Sequence, residues 1–168
     1  QSPYPPVWIA SRYTPRDVID FALDSGYKLL AAWQPAHELA ETYRMVEEQR
    51  KLRGLTGEPL GFACIRHVFV AESDTEAQRD GADAVDYYLK STRQFRPVGD
   101  HEKDQMIFGG PETCVEKLRV LSEKAGINNL ICWMNFGDLD QETVHRSMRL
   151  FAEAVIPAFR STATNAAS

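Results

Sequence analysis

Short apolar runs and longer stretches with apolar residues three and four apart alternate along the whole chain, and each change of period falls at a Gly, a Pro or a residue able to cap a helix. The run "VWIAS" (7–11) predicts a strand, and "PRDVIDFALDSG" (15–26) a helix with Val18, Ile19, Ala22 and Leu23 on one face and Gly26 at its end. "KLLAAW" (28–33) predicts the second strand. The segment 36–53 follows as a helix turning Leu39, Tyr43, Val46 and Leu52 inward. "LGFACIRHVFVA" (60–71) is a long third strand, and 73–95 is a long helix that opens on a capping box, Ser73 with Glu76, and tolerates Gly81. A polar loop covers 96–110. Pro111 then takes the first position of a helix over 111–126, with Val115, Leu118 and Leu121 at helical spacing. "NLICWMNF" (129–136) predicts the fourth strand. Residues 141–156 predict a last helix with Val144, Met148, Phe151 and Val155 inward and Pro157 as its stop, and 161–168 a disordered tail.

Near-continuous apolar strands separated by helices imply a parallel sheet covered on both faces. The fold class is therefore α/β, with four parallel βα units, the third carrying an extra helix. Four such units make either a small open sheet or half of a (β/α)8 barrel, and the pattern alone does not choose. With 168 residues, 43% hydrophobic and 26% charged, the chain holds enough apolar material for one domain, spanning 1–160. The net charge of −5, with Lys and Arg scattered among acids, argues against a nucleic-acid partner. No run reaches the length of a membrane span, and "QSPYPPV" lacks the basic and apolar blocks of a signal peptide, so the expectation is a cytoplasmic protein with no membrane partner. Cys64, Cys114 and Cys132 are odd in number and have no C-x-x-C spacing, which reads as reduced thiols in the core and no metal.

In parallel α/β folds ligands lie beyond the carboxyl ends of the strands. The residues there are Ser11, Arg12, Tyr13 and Thr14 after the first strand, Trp33 and Gln34 after the second, Glu72 and Ser73 after the third, and Asn135 to Asp138 after the fourth. Only the first set joins two hydroxyls, a guanidinium and the free N–H groups of a helix start, the chemistry that holds a phosphate. The same residues also fit a plainer role, in which Ser11 or Thr14 caps the helix that begins at Pro15. His37, His67, His101 and His145 show no metal-binding spacing, and "FGG" (108–110) reads as a turn. No P-loop, nucleophile elbow or G-x-G-x-x-G occurs, so the patterns name no catalytic residue. Trp33 and Trp133 either line an apolar pocket for a flat ligand or pack in the core.

Taken together, "PPVWIASRYTPRDVIDFALDSGYKLL", "VFVAESDTEA", "FGGPETCVEKLRVLSEKAGINNL" and "FGDLDQETVHRSMRLFAEAVIPAFR" are similar to the second half of the bacterial-luciferase-like flavin-dependent monooxygenases. The similarity runs from about Pro5 to Arg160. Its most specific part is the last, a strand, an F-G-x-L loop and a helix ending F-A-x-x-V-x-P. The resemblance implies strands five to eight of a TIM (β/α)8 barrel with their helices. It also implies reduced flavin mononucleotide (FMN) as cofactor, or in one branch a deazaflavin coenzyme, and a small organic substrate oxygenated with O2. In the deazaflavin branch a hydride moves instead and no oxygen is needed. By the same resemblance the cofactor phosphate falls on Ser11, Arg12, Tyr13 and Thr14, although Ala10 stands where the luciferase subunits have an acid.

The family's polar groups around the flavin ring come largely from loops after strands one to four, outside this sequence, so activity is expected to need the other half barrel. Strands 28–33 and 60–71 are then central and 7–11 and 129–136 are open edges, with Val7, Ile9, Ile131 and Trp133 on inner faces awaiting cover. A homo-oligomer, at least a dimer, or pairing with the other half is expected. A non-enzymatic half barrel that binds a partner or ligand is the alternative from a different class.

Overall fold

The computed structural model describes residues 2–91 and 105–163. They fall into two compact units, one running through Arg66 and including Val120–Ile131, the other comprising His67–Arg119 and the chain from Cys132 onward.

The first unit contains β1 (Trp8–Ser11), α1 (Arg16–Ser25), β2 (Lys28–Ala32), α2 (Ala36–Leu52) and the start of β3 (Phe62–Val70). The end of α4 (Pro111–Ala125) and the start of β5 (Asn129–Trp133) complete it. β1 and β2 are parallel, as are β2 and β3, in a register that lines up Ile9, Leu29 and Phe62 in one row and Ser11, Ala31 and Cys64 in another. Residues two apart on a strand share a face, and this face is the covered one. Leu29, Ala31, Phe62 and Cys64 are buried against Ile19, Ala22 and Leu23 of α1, Leu39 and Val46 of α2, and Leu121 and Ala125 of α4. Each large side chain so buried contributes about 1.5–3 kcal/mol. Gly26 ends α1 in the left-handed conformation (φ 69°), which lets Tyr27 N–H reach back to the Ala22 carbonyl at 2.8 Å.

In α2 the inward stripe differs from the expected one. Leu52 is 70% exposed, because the face carrying Leu39 and Val46 continues through Gln49 and Arg50, both buried. Arg50 is accommodated there by donating from Nη2 to the carbonyls of Gly57 at 3.0 Å and Glu58 at 2.8 Å.

The second unit contains the rest of β3, α3 (Asp74–Ser91), β4 (Ile107–Gly109), the start of α4, the end of β5, α5 (Gln141–Leu150), a π-helical turn (Phe151–Val155) and α6 (Pro157–Ala163). β4 lies parallel to the end of β3, Val68 opposite Ile107 and Val70 opposite Gly109. It falls inside the expected polar loop; three residues are too few for a periodic signal, yet all three are buried. Phe69, Ala77, Ala84, Val85, Phe108 and Phe136 form the core, with the rings of Phe108 and Phe136 stacked at 5.8 Å.

Two ends are corrected. The fourth strand stops at Trp133, where the indole N–H turns back to the Asn135 carbonyl at 2.7 Å. Pro157 does not stop the last helix. Lacking an N–H, it cannot continue the α-helical ladder, so the chain widens into a π turn, Ile156 N–H bonding the Phe151 carbonyl at 2.9 Å, and Pro157 opens a new helix at the position that needs no donor. Residues 161–163 of the expected tail are helical. The end of the helix expected over 73–95, the loop from 96 to 104 with His101, and the tail from 164 lie outside the described residues.

In the sheet β2 lies between β1 and β3, and β5 joins at β3, so the second and third strands are interior as expected. Val7 and Ile131 are 38% and 45% exposed. Ile9 and Trp133 are not awaiting cover: Ile9 packs on the core of the first unit, in the row with Leu29, and Trp133 on the core of the second.

Candidate functional site

At the end of β1 the chain leaves the covered face and turns into α1. The Ser11 hydroxyl donates to the Tyr13 carbonyl. Arg12 and Tyr13 are exposed, while Thr14 turns inward, 6% exposed, with its Oγ1 buried and without a hydrogen-bond partner. Pro15 is the N-cap, its carbonyl accepting from Val18 and Ile19, and it offers no side-chain cap. The capping role open to Ser11 and Thr14 is therefore unrealised: one hydroxyl serves a neighbouring carbonyl and the other serves nothing. A helix start without a side-chain cap leaves its first N–H groups, here those of Arg16 and Asp17, without intrahelical acceptors. Asp17 also places an acid in this first turn.

At the end of β2, Trp33 is the one non-glycine residue with positive φ (57°) among those described, a conformation that costs about 1–3 kcal/mol and persists where surroundings hold it. The turn delivers Gln34 into the interior. Gln34 Nε2 donates to the Arg12 carbonyl at 2.7 Å, and Oε1 is buried without a partner. A carbonyl can be met only by the NH2 of an amide, so the side-chain orientation is fixed and the oxygen is the atom left over.

The Gln34 carbonyl in turn accepts from Arg66 Nη2 at 2.6 Å, and Arg66 Nη1 donates to the Ile65 carbonyl at 2.8 Å. Arg66 is 1% exposed, and no carboxylate among the described residues pairs with it. Burial pushes its guanidinium below the ordinary value, and burial likewise raises the Cys64 thiol. Arg66, Gln34 and Arg12 thus form a relay linking β3, the turn after β2 and the loop after β1. Beside it stand two buried polar atoms, Thr14 Oγ1 and Gln34 Oε1, each costing about 1–3 kcal/mol while unsatisfied.

The strand ends of the second unit are satisfied by the chain itself. Ser73 Oγ accepts from Glu76 N–H at 3.2 Å, realising half of the expected capping box at the start of α3. Asp74 accepts from Gly110 N–H at 2.7 Å and from the Thr113 hydroxyl at 2.9 Å, bonds that hold its carboxyl below the usual range. The "FGG" stretch supplies the end of β4 and the start of α4, with Gly110 as acceptor for Cys114 N–H. His67 is 7% exposed among the rings of Tyr88, Trp133 and Phe136, the closest centroid at 4.7 Å, and burial pushes its pKa down to about 4. His37 and His145 are exposed. Cys64 and Cys114 are buried and Cys132 is half-buried. Among the described residues no three His, Cys, Asp or Glu side chains cluster as metal ligands.

Sequence reasoning named Gln34 as a strand-end residue but gave it no chemistry, and it missed Arg66. The available signal was a charged residue inside a nine-residue apolar strand, which must be buried and bonded.

A parallel α/β chain with buried, unpartnered polar atoms at the carboxyl ends of its first two strands, Thr14 Oγ1 and Gln34 Oε1, has them where α/β folds place their ligands. The family model described as luciferase-like monooxygenase matches residues 1–129, and the chain belongs to that family. Among solved structures it is similar to the monooxygenase RslO1 from Streptomyces bottropensis, at 20% identity and a TM-score of 0.78, covering 95% of this chain and 50% of that one. It is also similar to the oxygenating constituent of 3,6-diketocamphane monooxygenase from Pseudomonas putida, solved with FMN, at 20% identity and a TM-score of 0.67, covering 92% of this chain and 49% of that one. The coenzyme F420 dependent tetrahydromethanopterin reductase from Methanopyrus kandleri matches at 16% identity and a TM-score of 0.65, covering 92% of this chain and 51% of that one. These relatives are TIM barrels, and the chain spans about half their length. Comparison with curated protein sequences returned no match. Among the described residues no helix is long and apolar enough to cross a membrane.

Proposed function

We propose that this chain is the strand-five-to-eight half of a flavin-dependent luciferase-like oxidoreductase, with the cofactor phosphate received by Ser11, Arg12, Tyr13 and Thr14. One observation carries the reading: the Thr14 hydroxyl is buried without a partner beside a helix start that no side chain caps. The donor set fits a phosphate. Thr14 Oγ1 donates from within, the N–H groups of Arg16 and Asp17 donate along the helix axis, and the exposed Arg12 guanidinium closes over the anion from solvent. Ser11 joins once its hydroxyl leaves the Tyr13 carbonyl.

When bound, the cofactor supplies the redox chemistry, reducing O2 for oxygenation of a small organic substrate. The residues of this chain bind and orient it, through the phosphate loop and the relay from Arg66 that fixes that loop. A relative solved with FMN supports reduced FMN as the cofactor. A deazaflavin coenzyme, with hydride transfer in place of oxygenation, is the second reading, favoured by the F420 dependent relative at a similar TM-score. Coverage of half the relatives' length supports assembly through the open sheet edges, with a second copy or with the other half barrel.

Titration of the protein with FMN, riboflavin and F420, followed by fluorescence, tests this. FMN is expected to bind at least tenfold more tightly than riboflavin, which lacks the phosphate. Equal affinities overturn the phosphate assignment, F420 binding alone selects the second reading, and no binding of any of the three favours a non-enzymatic module.

A further inference from the structure

Of the buried polar atoms without a hydrogen bond in the first unit, Glu47 Oε1 and Arg50 Nε face each other as an ion pair at 3.3 Å, and the two that remain, Thr14 Oγ1 and Gln34 Oε1, are not chemically alike. Thr14 Oγ1 can donate, but Gln34 Oε1 can only accept, because its Nε2 is committed to the Arg12 carbonyl at 2.7 Å. A phosphate dianion carries no proton to offer such an oxygen. Whatever satisfies Gln34 must bring a donor, and must bring it to a residue that bonds the backbone of the phosphate loop itself.

Gln34 is also held from behind. Its carbonyl accepts from the buried Arg66, and the left-handed turn at Trp33 directs it inward. A side chain anchored at its backbone and at its amide nitrogen has little freedom to hide its oxygen elsewhere.

We propose that Gln34 serves the ligand twice: Nε2 fixes the phosphate loop through the Arg12 carbonyl, and Oε1 accepts a hydrogen bond from a hydroxyl of a polyol chain attached to the phosphate. The site then selects phosphorylated polyols, the part that FMN and deazaflavin coenzymes share, over a bare or alkyl phosphate. This rests on the phosphate reading of residues 11–14. Thr14 Oγ1, free of partners, bridges the two ends by donating to the phosphate.

The test compares ribitol 5-phosphate with n-pentyl phosphate, which is equal in carbon length but has no hydroxyls. Binding is read by NMR from the backbone amides of Ser11 to Thr14, and hydrogen exchange at the same amides reports how firmly the loop is held. The protein is expected to bind ribitol 5-phosphate at least fivefold more tightly. Gln34→Met is expected to bring that ratio to about one and to speed exchange across the loop. Gln34→Glu keeps an acceptor but loses the donor, so exchange should quicken while the ratio survives, although both affinities fall through charge repulsion. If Gln34→Met does not fold, Gln34→Glu decides alone, and loss of the ratio with unchanged exchange overturns the proposal. A ratio that survives Gln34→Met overturns it too. If both phosphates shift the loop amides equally in the unmodified protein, the polyol contact is wrong and the phosphate reading stands; if neither shifts them, both fall.

Discussion

The starts of α1 and α4 are built from similar parts and finished differently. Each has a proline at the turn into the helix and a threonine close by. At α4, Asp74 arrives from another element and takes both the Gly110 N–H and the Thr113 hydroxyl, so the end is closed by the chain itself. At α1 no carboxylate arrives, the Thr14 hydroxyl is buried unused, and Gln34 offers a further unmatched oxygen. On the proposed reading, the difference separates an end closed for stability from an end left open to a ligand. Sequence motifs at a helix start cannot tell these apart, because the distinguishing group at α4 lies thirty-six residues away.

Acid should act first on the self-satisfied unit, and this is the largest effect. His67 is neutral in the fold, with a pKa of about 4 against an ordinary 6.5, so the unfolded chain binds the extra proton between those values and stability falls as pH drops. About 2 kcal/mol should be lost between pH 7.5 and 5 by linkage, read by urea unfolding, and His67→Phe should flatten the curve. Asp74, held below its usual range, adds a further loss only below about pH 4, since its stabilisation needs the ionised form. An unfolding midpoint that does not change with pH would place the histidine in water.

Next in size is Arg12→Ala. The guanidinium is exposed, so FMN affinity should fall roughly tenfold, the scale of one charge-assisted contact, with the melting temperature unchanged. A fall in melting temperature that exceeds the affinity loss would return Arg12 to a structural role.

The two threonines give opposite signs. Thr14→Val removes an unsatisfied buried hydroxyl and should raise stability by about 1 kcal/mol while weakening phosphate binding. Thr113→Val removes a used hydroxyl and should lower stability by about 0.5–1 kcal/mol without touching binding. Paired thermal melts decide, and equal signs would erase the distinction between the two helix starts.

The alternation of strands and helices was legible because β1, β2, β3 and β5 are apolar enough to reveal their period and their helices carry clear start and stop residues. β4 was not, since Ile107, Phe108 and Gly109 are buried by tertiary packing that three residues cannot announce. Leu52 misled because hydrophobicity outweighed position: the stripe goes through Arg50, which pairs with Glu47 at 3.3 Å and donates to carbonyls further along the chain. The same blindness hid half of the site. Ser11 to Thr14 could be read locally, whereas the roles of Gln34 and Arg66 exist only through partners 22 and 32 residues distant.

Arg50 has one more consequence, for how the chain meets proteases. The stretch from Gly54 to Glu58, with glycines at 54 and 57, has the composition that enzymes nick most readily. Its carbonyls are gathered from beneath by a buried guanidinium, and the neighbouring Arg53 is clasped by Asp20 at 2.7 Å and Asp24 at 2.9 Å. Of the three tryptic points before the loop, Arg50 is held by burial and Arg53 by pairing, and Lys51, though exposed, lies within the last turn of α2. Brief digestion should spare this stretch, and Arg50→Lys, whose single ammonium cannot fork across the carbonyls, should open it to cleavage.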